Sequence, residues 1–304
     1  MPCSHSATRA AYDLHLHTGW SYDATATAAD LLAAAAAAGV RRVAITDHHV
    51  VDGLAEAIEA AAGYPDVTLV CGAEITVTAS IGSVDMLCLG FTPAAIEALW
   101  PIRDAYHQWQ RECGAALCAG IRALGFDYTD EQREELLASY RPRTALALQG
   151  STHVANRMQR AWFIERGFIG GEDEYAPLLA AAGERVARPP YPAADVVLPA
   201  VRRHGALAVI AHPASYFQRD NRERMELLRE ELLLDGVECA HPFVAPELTA
   251  VYRAWCEEHE LISTGGSDLH WPEDVSEGIG THIGPEHWWP EIEARLPAGA
   301  IIHG

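Results

Sequence analysis

The sequence predicts an α/β fold that carries one helical insertion. Short apolar or β-branched runs alternate with helical patterns over the first ninety residues. The alternation resumes after about residue 188, and the segment in between is helical throughout. Strands that alternate with helices favour βα units and a parallel sheet. A chain of 304 residues is long enough to form one large domain with such an insertion.

The predicted elements follow one another closely along both outer parts of the chain. Strands are predicted at 11–16, 42–46, 67–71 and 83–91, and helices at 28–38 and 53–62. Gly39 and Gly63 follow these two helices, and glycine readily adopts the left-handed backbone that ends a helix. In the last third, helices at 194–204, 221–233 and 245–259 alternate with strands at 206–211, 236–239 and 261–264.

The middle of the chain has a different pattern. Helices are predicted at 94–124, 130–139, 153–166 and 174–182, without a convincing strand between them. We therefore assign 10–92 and 188–304 to the α/β domain. Residues 93–187 are assigned to a helical insertion, which we expect to lie near the active site.

The charge of the chain excludes several classes of function. It has 22 basic and 42 acidic residues, a formal net charge of −20 at pH 7, which opposes binding to nucleic acid or to an anionic membrane. All of the basic residues are arginine. The absence of lysine excludes Walker-type phosphate loops, Schiff-base chemistry and metal sites bridged by a carboxylated lysine.

Cysteine usage and hydropathy favour a cytoplasmic protein. The seven cysteines form no C-x-x-C pair and are expected to be reduced thiols. No signal-peptide pattern is present at the N-terminus. The longest apolar stretch, 31–40, is too short to span a bilayer.

Two similar motifs near opposite ends of the chain predict a metal site. D-L-H-L-H occupies 13–17 and G-S-D-L-H occupies 266–270. Each places two metal-binding side chains at positions i and i+2, which face the same side of a strand. Between them lie I-T-D-H (45–48), G-A-E-I (72–75), S-T-H-V (151–154) and I-A-H-P (210–213), most of them at the end of an apolar run.

The side chains of these motifs suit more than one metal ion. The candidate ligands are His15, His17, Asp23, Asp47, His48, Glu74, His153, His212, Asp268 and His270. Imidazole and carboxylate groups without thiolates are typical of Zn, Mn or Fe sites. Because the set is too large for one ion, we expect two or three, with a carboxylate such as Glu74 bridging a pair. Such centres are suited to phosphoester hydrolysis.

Taken in order, the motifs resemble the signature of the PHP family, named for polymerase and histidinol phosphatase. That signature is D-x-H-x-H-T near the start, followed by T-D-H, G-x-E, T-H or P-H with an apolar residue, A-H-P and G-S-D-x-H. Each of its elements occurs here, over about two thirds of the chain. The resemblance implies a distorted (β/α)7 barrel with two or three divalent metal ions, and most often phosphoesterase activity.

The resemblance also implies how the ligands are shared. One ion would take His15, His17, Glu74 and Asp268, a second would share Glu74 and add His153 and His212, and a third would take Asp23, His48 and His270. Asp13 and Asp47 would each orient a histidine by accepting its ring N–H.

The expected activity is hydrolysis of small phosphate esters, such as nucleoside monophosphates or cyclic phosphodiesters, by a hydroxide that bridges the ions. His241 is the candidate proton donor to the leaving group, and Trp271 is a candidate contact to a substrate ring. Ser151 and Asn156 stand where similar phosphoesterases often carry arginines that hold phosphate. Arg157 is therefore the expected substitute, with Arg141 and Arg143 as alternatives.

Two other functions remain open. One is a noncatalytic metal-binding partner module, although a complete ligand set favours catalysis. The other is an amidohydrolase-type deaminase, whose two-metal form needs a bridging lysine that this chain lacks.

Overall fold

The computed structural model describes residues 10–304 and has an eight-stranded sheet at its centre. The strands are β1 (Tyr12–Leu16), β2 (Arg42–Ile45), β3 (Thr68–Ala79), β4 (Gly82–Leu89), β5 (Leu207–Ile210), β6 (Gly236–Ala240), β7 (Ile262–Gly265) and β8 (Ile301–His303). Seven of them lie side by side in chain order, and β8 pairs with β3. The fold is therefore mixed α/β, as expected, with a sheet that is largely parallel.

The parallel arrangement that the sequence favours does not extend to β4 or to β8, which is antiparallel to β3. Strand β4 runs antiparallel to both β3 and β5. Only Ser80 and Ile81 separate β3 from β4, and a connection of two residues can join only antiparallel strands. β3 is also longer than the predicted strand 67–71, so that Glu74 lies within it instead of following it.

Thirteen α-helices are present in the described part of the chain. They are α1 (Ala28–Ala38), α2 (Leu54–Ala61), α3 (Pro93–Ala98), α4 (Trp100–Ala123), α5 (Asp130–Tyr140), α6 (Arg143–Gln149), α7 (Asn156–Glu165), α8 (Tyr175–Arg185), α9 (Ala194–Arg203), α10 (Arg222–Leu232), α11 (Pro246–Glu258), α12 (Pro272–Gly278) and α13 (Trp289–Glu293). Two short 3-10 helices cover Glu172–Glu174 and Glu286–Trp288. None of the helices in residues 10–304 is both long and apolar enough to cross a membrane.

The ends of several helices follow directly from the sequence. At α1, the Thr27 hydroxyl accepts from Asp30 N and the Asp30 carboxylate accepts from Thr27 N, which forms a capping box. Gly39 ends the same helix in a left-handed conformation with φ 78°. The single helix predicted at 94–124 is instead divided at Leu99. Pro101 explains the break, because it has no N–H with which to continue the hydrogen bonding of α3.

Main-chain hydrogen bonds bring the first and last motifs together. His17 N donates to Leu269 O at 3.0 Å, and Asp268 N donates to His15 O at 2.8 Å. The segment that follows β7 therefore lies beside β1. Apolar side chains pack around these strands, including Leu14 and Leu16, which are fully buried and alternate in sequence with His15 and His17.

Candidate metal centre

His15 lies within β1 and His17 directly follows its last residue, and both are completely buried. His15 Nδ1 lies 3.0 Å from Glu238 Oε1, and His17 Nδ1 lies 3.2 Å from Ser21 Oγ. If each Nδ1 carries the ring proton and donates it to this oxygen, Nε2 has a free lone pair. Both Nε2 atoms are directed at Asp268 Oδ1, at 3.4 Å from His15 and 3.1 Å from His17. This arrangement leaves two nitrogen lone pairs that converge on one carboxylate oxygen, which suits the binding of a cation.

Glu74 lies between separate groups of histidines. Its Oε2 is 3.1 Å from His15 Nε2, 3.4 Å from His17 Nε2 and 3.1 Å from His48 Nδ1. Its Oε1 is 3.0 Å from His212 Nε2. A carboxylate whose two oxygens face different groups of ligands has the geometry of a bridge between ions.

The first expected ligand group is brought together in the structure. Donor atoms of His15, His17, Glu74 and Asp268 all lie within 4.8 Å of one another. Asp268 reaches this position from a left-handed backbone conformation with φ 56°. Such a conformation is costly for a residue other than glycine and is found at functional sites.

Asp23, His48 and His270 also converge. Asp23 Oδ2 lies 3.4 Å from His48 Nε2 and 3.6 Å from His270 Nε2, and the two Nε2 atoms are 3.4 Å apart. His270 Nδ1 lies 2.9 Å from the Asp268 carbonyl oxygen, to which it can donate, so that Nε2 is left as an acceptor. His17 also joins His48 and His270 in one group of donor atoms within 4.8 Å.

At the second expected group, the structure places Asp85 beside Glu74 and His212, where His153 was expected. Asp85 lies on β4, and its Oδ2 is 3.8 Å from His212 Nε2. The only sequence signal for this residue was a single acidic residue within an otherwise apolar strand. His153 precedes α7, although it was expected within a helix, and its ring packs on Tyr22 with 3.8 Å between centroids. Its Nδ1 is buried without a hydrogen-bond partner.

A carboxylate that the sequence analysis missed holds two of the candidate ligands. Besides its contact with His15, Glu238 accepts a hydrogen bond at Oε2 from His212 N at 2.7 Å. It lies within β6 and is fully buried. An acidic residue in a buried strand, one before Cys239 and three before His241, was the available signal.

Asp13 and Asp47 do not contact a histidine ring in the way the sequence analysis expected. Asp47 accepts from Thr18 N at 2.6 Å and from Ser21 Oγ at 3.0 Å. Ser21 in turn contacts His17, so Asp47 acts on the histidine through a serine. Asp13 accepts from Ser267 N at 2.9 Å and from Gly280 N at 2.8 Å, and thereby fixes the loop that carries Asp268.

His241 lies beside the first ligand group. Its Nδ1 accepts a hydrogen bond from Phe243 N at 3.0 Å. The proton of the neutral ring is therefore on Nε2, which lies 3.5 Å from Asp268 Oδ2. His241 is thus placed as a hydrogen-bond donor toward the centre, a geometry compatible with the role of proton donor.

Arg141 and Arg157 differ in whether their side chains are free to bind a phosphate. Arg141 is 4% exposed and directs its guanidinium at protein oxygens, including Trp20 O at 3.0 Å and Gln149 Oε1 at 2.6 Å. It joins the helical segment to the loop after β1, so it is not available to phosphate. Arg157 is half exposed, pairs with Glu273 at 2.7 Å and lies over the ring of Trp271 at 4.6 Å.

Burial and neighbouring charges shift the pKa values of several histidines and carboxyl groups in the site. Burial disfavours a charged His48, but Asp23 and Glu74 outweigh it and raise the pKa to about 10. The pKa of His212 is raised to about 9, because the bond to Glu74 outweighs burial. Burial, together with repulsion by His270 and His48, lowers the pKa of His17 to about 3. Burial also raises the pKa of Asp47 to about 6.

The residues fit a metal-binding site. Several polar atoms that point into the cluster are buried without a hydrogen-bond partner, namely His17 Nε2, His48 Nδ1 and Asp268 Oδ1. Buried polar atoms are costly when they are left unpaired. Imidazole nitrogens and carboxylate oxygens are ligands of Zn, Mn and Fe, and their close approach is favourable around a shared cation. The six cysteines in the described part of the chain are free, and none belongs to the cluster.

Comparison with known proteins finds one matching family and one similar curated protein. The PHP domain family matches residues 13–186, more than half of the chain. A 3′,5′-nucleoside bisphosphate phosphatase from Chromobacterium violaceum is 28% identical, over 93% of this chain and 97% of the relative.

Two solved structures share the fold over nearly the whole chain. An inferred metal-dependent phosphoesterase from Bifidobacterium adolescentis has a TM-score of 0.71 and 26% identity, and the match covers 94% of this chain and 96% of that one. An amidohydrolase from Chromobacterium violaceum, solved with sulfate and without metal, has a TM-score of 0.67 and covers 94% and 97%. Its identity is 24%, so this likeness concerns the fold alone.

Proposed function

Because the chain belongs to the PHP domain family, we propose that it is a metal-dependent phosphoesterase that hydrolyses small phosphate esters. The observation that carries the proposal is the position of Glu74, whose two oxygens face His15 and His48 on one side and His212 on the other. A bridged group of ions is suited to holding the oxygens of a phosphate ester.

We assign two or three divalent ions, Mn, Fe or Zn, to the centre. His15, His17, Glu74 and Asp268 would hold one ion, and Asp23, His48 and His270 a second. Glu74 and His212, with Asp85 in the place expected for His153, would hold a third. The bound ions would supply positive charge to the phosphate oxygens and activate the attacking water.

The protein groups around these ligands have separate roles. Glu238 and Ser21 hold the rings of His15 and His17, which keeps both Nε2 atoms directed at the centre. His241 presents a protonated Nε2 beside Asp268 and would give that proton to the departing ester oxygen. Asp13 and Asp47 fix the two loops that carry the ligands.

The substrate is proposed from the relative and from the cations near the centre. The similar phosphatase acts on 3′,5′-nucleoside bisphosphates by its name, so esters of nucleosides are the first class to test. Arg157 would bind a substrate phosphate by exchanging Glu273 for it. Trp271 would contact the organic part of the substrate.

The closure of the sheet and the position of the helical segment are also part of the proposal. We infer that the sheet closes into a distorted barrel, because main-chain bonds join β1 to the segment after β7. We also propose that residues 93–187 form an insertion that covers one side of the centre. Contacts such as those of Arg141 with Gly19 O and Trp20 O support this placement.

Phosphate release by the Mn-reconstituted protein tests the proposed function. Nucleoside bisphosphates, nucleoside monophosphates, sugar phosphates and cyclic phosphodiesters are supplied in parallel. We expect turnover of at least one class, loss of that turnover in His17→Ala, and none after chelation of the metal. His303→Ala is the matched control, because this exposed histidine pairs with Thr68 at the start of β3, away from Glu74. Protein that holds its ions and hydrolyses none of these esters would contradict the proposal.

A further inference from the structure

Phe243 is the most exposed large hydrophobic side chain in the described part of the protein. Its relative exposure is 78%, compared with 68% for Val196 and 65% for Leu233. It lies in the loop between β6 and α11, two residues after His241. A single exposed apolar residue is ordinary on a protein surface, so the position of this ring and the rigidity of its loop decide what it means.

The loop holds Phe243 in a fixed position. Phe243 N donates to His241 Nδ1 at 3.0 Å, and Val244 N donates to His241 O at 2.9 Å. Pro242 restricts the backbone between them. Val244 is 4% exposed and belongs to the main hydrophobic core. The exposed ring of Phe243 therefore belongs to a turn that is held by hydrogen bonds to His241 and by the buried side chain of Val244.

The ring also stands at the edge of the candidate metal centre. Its centroid is 5.1 Å from that of His241, whose ring lies 5.5 Å from His212. The ring of His212 lies 5.9 Å from Tyr216, which is half-buried. A substrate whose phosphate reaches His212 and Asp268 would extend past this row of rings.

We propose that Phe243 contacts the organic part of the substrate and favours esters that carry a planar ring, such as a nucleobase. This inference rests on the proposed function, since it identifies the substrate class of the same site. A planar ring can stack on the exposed face of Phe243, whereas sugar hydroxyls and phosphate gain little from it. Because the turn is already ordered, little conformational entropy is lost on binding.

The test compares two esters that share a sugar and a phosphate. Adenosine 5′-monophosphate carries a base and ribose 5-phosphate does not. For Phe243→Ala, we expect KM and the dissociation constant for adenosine 5′-monophosphate to rise about tenfold, with less than about a twofold change for ribose 5-phosphate. Phe243→Trp, which keeps an aromatic face, should restore binding. Leu233→Ala is the matched control, because Leu233 is similarly exposed at the other end of β6.

The outcomes separate this inference from the proposed function. Equal losses for both esters, or no loss for either, would overturn the role of Phe243, as would wild-type protein that does not bind adenosine 5′-monophosphate. Calorimetry of the Mn-loaded protein reports binding even without turnover. If the wild type hydrolyses neither ester but Phe243→Ala still weakens nucleotide binding selectively, then Phe243 binds the base and the phosphoesterase function is wrong. Loss of binding to another protein in Phe243→Ala, with both esters unaffected, would assign the ring to a partner instead.

Discussion

Glu238 Oε1 lies 3.0 Å from His15 Nδ1, and this contact fixes which nitrogen of His15 faces the cluster. The second oxygen of the same carboxylate accepts from His212 N at 2.7 Å. One buried side chain thus holds a ligand on β1 and another on the segment after β5. Glu238 itself lies in the group formed with His15 and His241, all fully buried. It orients the histidines of two proposed ion sites together.

Replacement of Glu238 by glutamine should weaken metal binding. Glutamine has nearly the same shape but only one acceptor, so either His15 Nδ1–H or His212 N–H would face an NH2 group. We expect metal affinity to fall about 10- to 100-fold, as is typical when a carboxylate that orients a histidine ligand is lost. Competition with a chelator of known affinity measures the change.

The control for this variant is Glu257→Gln on the exposed face of α11. Glu257 makes only an exposed ion pair with Arg253 at 2.8 Å, which contributes little. Its metal affinity should equal that of the wild type. Unchanged affinity in Glu238→Gln as well would show that the His15 ring is held by other contacts.

Replacement of Asp85 by asparagine should remove one ion and leave the others. Asp85 faces His212 and Glu74 but none of the other proposed ligands. An amide oxygen is neutral and binds a divalent cation more weakly than a carboxylate. We expect metal analysis after gel filtration to give one equivalent less than in the wild type. Full metal content would show that Asp85 only supports Tyr216 and Thr76, whose hydroxyls donate to it.

Much of this site follows from local patterns. The spacing of His15 and His17 at the end of a short apolar run is enough to predict that their side chains converge, as they do. The left-handed turn at Asp268 carries a motif that is visible in the sequence. Glu238 and Asp85 were missed because they stand within strands whose partners are distant, and β4 runs antiparallel. Their role depends on which strands become neighbours, so it appears only when the sheet is assembled. His153 stays a predicted ligand, although it precedes α7 and lies outside the groups of converging donor atoms.

Metal binding should release protons, and metal affinity should rise with pH. In the metal-free protein, the pKa values of about 10 for His48 and about 9 for His212 keep both rings protonated at pH 7. A ring must lose that proton before its nitrogen can bind a cation. Each released proton increases the affinity about tenfold per pH unit, until the pH reaches the raised pKa.

Calorimetric titration with Mn at pH 7, in two buffers with different enthalpies of ionisation, counts the released protons. The difference between the observed heats should correspond to net release at the first equivalents of metal. His204→Ala should release the same number, because this histidine lies at the end of α9 and outside the cluster. Identical heats in both buffers would show that the two rings are neutral before the metal binds.

Substitution of Gly266 should damage the centre without changing a ligand. A Cβ atom at this position would lie 2.2 Å from His15 Cβ and 2.7 Å from His15 N, far closer than atoms can pack. In Gly266→Ala, either β1 or the segment carrying Asp268 must therefore move. We expect a loss of stability of about 1–3 kcal/mol from this overpacking, together with weaker metal binding, because the loop shares main-chain bonds with His15.

Gly183→Ala is the control for Gly266→Ala, and it is expected to stabilise the protein instead of destabilising it. Gly183 lies in α8, and apart from its chain neighbours and the backbone of its own helix, no atom lies within 4 Å of the Cβ that alanine would add. Alanine at this helical position should stabilise the protein by about 1 kcal/mol and leave metal affinity unchanged. Chemical denaturation of the metal-free variants, followed by chelator competition, measures both quantities. If Gly266→Ala retains wild-type stability and affinity, then β1 and the loop after β7 are not held as closely as the hydrogen bond from Asp268 N to His15 O requires.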